Sequence, residues 1–417
     1  MSKKTYIRNA QVYIEHFFVE KTILIEDGKL KVLPAAFEIP EDAEVFDASG
    51  LYAVPGFIDI HTHGAAGVDI NSADTEGLLC ISEFFADCGV TSWLASVLTD
   101  TEEQTISVLH KVQKQLANNY RSSQTGLSLT DDCDSQLESR LSAHITHSQT
   151  MQPKAASELL GVHLEGPFLA HEYKGAMPEE LLKKPDPQLL EKYQIESGNS
   201  IKYLTVSPEL EGTAELIEKA TELGITVSIG HSGATYEEAM KAIEKGAASG
   251  THVGNAMRLF HQHEPAIFGA LLESDCYCEI IADGIHLVPG TVKMLSKIKG
   301  THRLIAISDS IMAAGLPDGD YKLGVNEIVV SDGDAKLKSD GTRAGSTLTL
   351  DRALKNIIKF TGLSLEEVIP VLTENPARLI NVYDRKGSIE DGKDADIVFL
   401  NENSDIIAVY ARGVKVK

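Results

Sequence analysis

Short apolar runs, each followed by a stretch whose apolar positions recur every three or four residues, fill the middle of the chain. GVHLEG, IKYLTVSPE, ITVSIGHSG, EIIADGIH and RLIAISDS read as strands, because β-branched and apolar residues follow one another almost without interruption. EGTAELIEKATELG, TYEEAMKAIEKGA and GTVKMLSKIKG have the helical period. Strand-then-helix units repeated in this way build a parallel sheet, since a parallel crossover needs a helix on one face. Many units in succession, with polar residues closing one strand after another, predict an α/β protein with a (β/α)8 barrel rather than a doubly wound sheet. A dinucleotide-binding sheet would carry a glycine fingerprint after an early strand. The glycine-rich GAAG at 64–67 instead follows two histidines and opens no phosphate loop.

The pattern changes at both ends. TYIRNAQVYI, EKTILIEDGKL and AEVFDASGLYAV, and later GSIEDGKDADIVFL and DIIAVYARGVKVK, are short alternating or β-branched runs broken by Asp-Gly and Ser-Gly turns. Neither end is long enough to bury a core alone, so the two are expected to pair into one small β domain. The expected division is 1–55 and 385–417 for that domain and 56–384 for the barrel. Arg121 to Pro153 is rich in Ser, Thr, Gln and Asp and poor in apolar residues, and reads as an exposed insertion in a barrel connection.

Charge narrows the partners. With 38 basic against 61 acidic residues the net charge is −23. Such a surface repels nucleic acid and anionic membranes, so neither is expected as a partner, and an anionic substrate needs a local positive feature. No apolar run is long enough for a transmembrane helix, and MSKKTYIRNAQVYIEH lacks the apolar centre of a signal peptide. The five cysteines have no zinc-ribbon spacing, and Cys276 and Cys278 read as buried free thiols. The expected location is the cytoplasm.

The candidate chemistry lies at strand ends. GFIDIHTHG places His61 and His63 two apart, so both imidazoles share a face. GVHLEGPFL ends a strand on Glu165, ITVSIGHSGAT supplies His231, SGTHVGNAM supplies His252, and AISDSIMAAG supplies Asp309. Each alone has a bland reading as a solvated acid or a structural histidine. Together they are nitrogen and oxygen donors at the mouth of one barrel, a set that suits a divalent ion such as zinc, iron or manganese.

These motifs, with THVGNAM, IADGIH, SDSIMAAGLPDG, AGSTLTLDRA, NPARL and the closing GSIEDGKDADIV, resemble the amidohydrolase superfamily and, within it, the N-acetylglucosamine-6-phosphate deacetylases. The resemblance spans nearly the whole chain except the polar stretch around Gln124 to Gln149. It implies a distorted (β/α)8 barrel with a β-sandwich built from both termini. It implies a main metal on Glu165, His231 and His252, a second ion on His61 and His63 with the glutamate shared, and Asp309 as acid/base. The implied reaction converts N-acetylglucosamine 6-phosphate to glucosamine 6-phosphate and acetate in amino-sugar catabolism, by a homodimer. Deacetylation of the galacto epimer or of a non-phosphorylated N-acetyl sugar is the alternative, and a non-catalytic scaffold the remote one.

On the substrate side the resemblance implies contacts from Asn255, Ala256, Asp283, His286, Ala176, Met177, Arg343, Ala344 and Gly345, and from His263. It also marks departures. Met177 stands for a family histidine, Arg343 for an apolar residue, and His263 for an arginine that grips phosphate, often from the neighbouring subunit.

Overall fold

Eight parallel strands stand side by side in chain order: Phe57–Asp59, Val90–Leu98, Glu158–Glu165, Ile201–Val206, Thr226–Ile229, Ala247–Gly250, Tyr277–Ile280 and Leu304–Ala306. The computed structural model describes residues 4–125 and 156–417. The strands are near-continuously apolar because helices cover them outside and side chains fill the interior; every residue of Val90–Leu98 is buried. The first and eighth strands share no ladder. They are joined just past their ends by a parallel bridge between Thr62 and Ser310, with Asp309 N donating to His61 O (2.9 Å) and His63 N to Ser310 O (2.7 Å).

The three helices read from the sequence form as Thr213–Glu222, Tyr236–Glu244 and Pro289–Lys299. Tyr236–Glu244 starts where it does because Thr235 and Glu238 form a reciprocal capping box.

The two chain ends complete a single eight-stranded sheet. Its path runs Val414–Lys415, Ile406–Ala411, Ile397–Leu400, Tyr52–Pro55, Lys4–Ile14, Phe17–Glu26, Lys29–Pro34, with Glu44–Asp47 against Lys4–Ile14. Ala395 N donates to Gly28 O (2.8 Å) and Leu30 N to Lys393 O (2.9 Å), so the N-terminal hairpin folds back onto the C-terminal arm. Ile7, Ile23, Ile25, Phe399 and Tyr410 form the second core between them.

A three-stranded antiparallel meander, Gly319–Leu323, Asn326–Ser331 and Asp334–Leu337, is an addition that the strand–helix pattern did not predict. It packs Leu323, Ile328 and Leu337 onto Leu98, Leu169 and Ile311 at the C-terminal end of the barrel. The expected polar insertion lies almost wholly in 126–155, outside the described residues; the helix Glu102–Thr125 runs into its first positions.

A buried ion cluster clamps the sheet to the barrel. Lys386, only 1% exposed, lies 2.6 Å from Glu158, 3.0 Å from Asp394 and 2.5 Å from Asp396. Arg385 bridges Glu158 (2.9 Å) and Asp394 (2.6 Å). Burial alone would raise Glu158, but Lys386 and Arg385 outweigh it and hold its pKa down to about 2. A carboxylate depressed in the fold contributes stability above its unfolded pKa and loses it as pH falls through the folded value.

Lys386→Met should therefore cost about 3–5 kcal/mol at pH 7, because three carboxylates, two of them buried, lose their central cation. The penalty should shrink on acidification between about pH 4.5 and pH 2, as Glu158 takes up a proton. Urea midpoints of both proteins across that range are the check, and equal midpoints at pH 7 would show that the cluster adds nothing net.

Candidate metal centre

Each strand-end residue is delivered by a turn that leaves the sheet. Glu165 is the last residue of its strand, while His231 and His252 lie two positions past theirs and Asp309 three past its own. His231, His252 and Asp309 adopt left-handed backbone with φ of 48°, 28° and 48°. Non-glycine residues pay for that conformation, and such strain is typical where the fold aims a side chain at a site. His61 and His63 sit two and four residues beyond Phe57–Asp59, on the seam that closes the barrel.

The five donors converge as two triads that share Glu165: His61, His63 and Glu165, and Glu165, His231 and His252. Glu165 Oε1 lies 3.1 Å from Nε2 of both His231 and His252 and 3.3 Å from His61 Nε2. Its other oxygen lies 3.1 Å from His63 Nε2. Asp309 Oδ1 stands 3.2 Å from His63 Nε2 and 3.5 Å from His61 Nε2, so it borders the first triad. All six residues are buried.

At two of the four histidines the far ring nitrogen decides the tautomer. His63 Nδ1 faces Ser96 O (3.1 Å) and His231 Nδ1 faces Tyr173 O (2.8 Å). A carbonyl only accepts, so Nδ1 carries the proton and Nε2 presents its lone pair to the centre. Yet Nε2 of His61 and His63 are 3.2 Å apart, and Nε2 of His231 and His252 are 3.1 Å apart. Ring nitrogens gathered this closely around one carboxylate suit a shared cation. Nitrogen and oxygen donors without a thiolate fit a divalent metal.

The electrostatics agree. Burial favours a neutral His61, but Glu165 and Glu279 outweigh it and push its pKa well above the ordinary histidine range. Burial likewise opposes charge on His63, and its bonds to Asp309 and Glu165 raise it to about 9. Despite burial, Glu165 is held well below the usual carboxylate range by His61, His231 and His252, and Asp309 is lowered by His63.

The model of the "Amidohydrolase family" matches residues 52–416. The chain belongs to the amidohydrolase family. It is 33% identical to an N-acetylglucosamine-6-phosphate deacetylase of Lysinibacillus sphaericus over 91% of this chain and 89% of that one. Its fold is similar to that of the crystal structure of N-acetylglucosamine-6-phosphate deacetylase from Thermotoga maritima, with a TM-score of 0.82, 32% identity and 99% of each chain covered. It is also similar to a mutant of the Mycobacterium smegmatis deacetylase in complex with N-acetyl-D-glucosamine-6-phosphate, with a TM-score of 0.84, 25% identity, and 100% of this chain and 99% of that one covered.

The residues expected on the substrate side fall into two groups. Asp283 and His286 form a dyad: Asp283 Oδ2 meets His286 Nδ1 at 2.7 Å, and Oδ1 accepts from the backbone N–H of Ile285 and His286. Ser346 N, next to Gly345, donates to Asp309 O (2.7 Å), so the Arg343–Gly345 segment abuts the acid/base candidate. Asn255 Nδ2 donates to His252 O (3.1 Å), and Ala256 O accepts from Ser232 N (3.0 Å). Ala176 O accepts from Asn326 Nδ2 of the meander (2.8 Å), and Met177 is buried beneath it. Arg343 and His263 point to other partners. Arg343 pairs with Asp334 (3.1 Å), and His263 lies exposed in the loop 258–264, with its ring 5.3 Å from that of His261.

Three residues behind the ligands escaped the sequence reading. Glu279 meets His61 Nδ1 at 3.1 Å, Tyr203 OH donates to Glu279 Oε1 at 2.7 Å, and His163 is held between Ser96 Oγ and Thr205 Oγ1, both at 2.9 Å. Burial and the charge of His61 drive the pKa of His163 well down, so it stays a neutral member of the barrel interior. Their signal was present, since a Glu inside CYCEII and a His inside GVHLEG are polar residues in otherwise apolar strands.

Because both triads use Glu165, Glu165→Ala should empty both ion positions. A double His61→Ala, His63→Ala change should cost one ion and leave that held by His231, His252 and Glu165. Elemental analysis of the purified variants checks this, and an empty double variant would show that the triads are not separate positions.

Proposed function

We propose that this chain hydrolyses the acetamide of N-acetylglucosamine 6-phosphate, giving acetate and glucosamine 6-phosphate, with zinc as the resident ion. The observation that carries the reading is Asp309, a carboxylate 3.2 Å and 3.5 Å from the ring nitrogens of His63 and His61, at the open end of a two-triad barrel. The family and the substrate named for its relatives support it.

Amide hydrolysis needs a strong nucleophile and a proton for a poor leaving group. Glu165, His231 and His252 would hold one divalent ion and His61 and His63 a second, which would acidify water and polarise the carbonyl. Asp309 does the rest of the proton work. Held in the ionised state by His63, it accepts the proton of the attacking water and then delivers it to the departing nitrogen. Asp283 orients His286 through Nδ1, so that its Nε2 donates to or accepts from the sugar. The left-handed turn at Ala256 and the Gly345 segment offer backbone groups on the same face.

The phosphate is the remaining demand. Arg258 is paired with Glu264 and Arg343 with Asp334, which leaves the His261 and His263 imidazoles to meet it. Leu259 and Phe260 in the same loop are 80% and 56% exposed, an apolar tip that a second copy of the chain would cover in a homodimer. Cys276 and Cys278 are buried free thiols, in keeping with a cytoplasmic protein.

Asp309→Asn should lower acetate release by about 10²–10⁴-fold with metal content unchanged, since an amide cannot carry a proton between water and nitrogen. Retention of more than about a tenth of the wild-type rate would remove Asp309 from that role.

A guanidinium is charged throughout and offers phosphate a planar fork of donors. His263→Arg should therefore lower KM for the 6-phosphate. The free sugar should show no such effect. Equal kcat/KM for N-acetylglucosamine and its 6-phosphate would overturn the phosphorylated substrate, and a preference for the galacto epimer would reassign the sugar.

A further inference from the structure

We infer that Glu279 is a positioning residue of the metal centre, whose carboxylate fixes His61 as an Nε2 ligand and ties the two triads together. The inference rests on the metal reading of the site proposed above. Glu279 lies in the strand Tyr277–Ile280 and is wholly buried in the barrel interior. Its Oε2 is 3.1 Å from His61 Nδ1 and 3.0 Å from the backbone N–H of His252. One oxygen thus touches a ring of the first triad and the backbone of the second. Its Oε1 accepts from Tyr203 OH at 2.7 Å, and that hydroxyl lies 2.9 Å from Ser249 Oγ.

The four ligand histidines are not backed alike. Nδ1 of His63 and of His231 donate to neutral carbonyls, and Nδ1 of His252 has no partner among the described residues. Only His61 has a carboxylate behind it. A carboxylate on the far nitrogen fixes the tautomer, locks the ring plane and makes the near nitrogen a stronger donor. A buried carboxylate is expensive to desolvate, and three donors are gathered around this one to hold it in place. A role confined to filling the barrel would be met by an apolar residue at lower cost. The asymmetry predicts that Glu279 matters most to the ion at His61 and His63, and less to that at His231 and His252, where it holds only a backbone N–H.

The test is ion binding without substrate, so its failure and the failure of the deacetylase reading are separable. Glu279→Gln keeps the size and an acceptor but removes the charge. Ion content after dialysis against graded chelator, and the visible absorption of the cobalt-loaded protein, should show one ion held as in the wild type and the other about 10–100-fold weaker. Two ions held as tightly as in the wild type would overturn the inference. So would equal weakening of both, or a wild type that takes up a single ion. Should Glu279→Gln fail to fold, Tyr203→Phe carries the test, because it removes the donor that steadies Oε1. Selective weakening of one ion supports the inference, and unchanged affinity for both overturns it.

Discussion

The barrel closes through residues of its candidate metal centre. Strands one and eight never pair within their regular lengths; the seam is Thr62 against Ser310, flanked by hydrogen bonds from Asp309 and His63. Eight parallel strands have no free edge only if that seam holds. Holding it places His61, His63 and Asp309 on one short stretch of facing backbone. The seam extends outward through a second bridge, Ser310 with Ser346, which brings the segment after the meander against the site. Closure of the fold therefore brings Asp309 beside the first triad, and a change that opens the seam would separate it from His61 and His63.

Charge is the second constraint, and it follows from the first. Closing the barrel buries Glu165 and Asp309 with four imidazoles in a space from which water is largely excluded. The carboxylates are held ionised and the rings of His61 and His63 are pulled toward the charged form, so the cluster as a whole demands positive charge. A divalent ion answers that demand with less crowding than protons placed between ring nitrogens about 3 Å apart, which is why metal binding at such a site displaces protons. The same logic recurs at the opposite end of the barrel, where Lys386 neutralises Glu158, Asp394 and Asp396. There the counter-charge is a side chain fixed for good, and the result is a clamp rather than a site.

How much of this could be read from the chain depends on what kind of atom does each job. Barrel, terminal sheet and the clustering of strand-end donors were legible, because apolar runs followed by helical spacing have few solutions and His or Glu at the end of such a run is conspicuous. The meander was passed over although YKLGVNEIVVSDGDAKL alternates and turns at Gly-Val and Asp-Gly, since the eye follows the longer strand–helix rhythm. Glu279 was hidden for the opposite reason: it sits in mid-strand, where a lone acid reads as an exception to be ignored. The left-handed backbone of His231, His252 and Asp309 has no sequence mark at all, because the fold rather than the residue type imposes it.

The same distinction explains why the reaction is easier to read than the substrate. A metal centre must use rare side chains in buried places, and each leaves a letter in the sequence. The sugar contacts expected at this site draw on the carbonyls and N–H groups that every residue has: those at Ala256, at Ala176 and Met177, and beside Gly345. What letters can show there is only permission, such as a glycine at 345 whose Cβ would lie 2.9 Å from Asp309 O. The interior beneath the centre supplies the rest. Ser96, His163, Thr205, Thr251 and Ser228 form one hydrogen-bonded chain across the strands, and Ser249, Tyr203, Glu279 and His61 form another. Most barrels fill that layer with branched apolar residues. Here polar contacts have taken their place, and the second of these chains ends on a ligand, so the barrel's own packing layer sets the orientation of the centre above it.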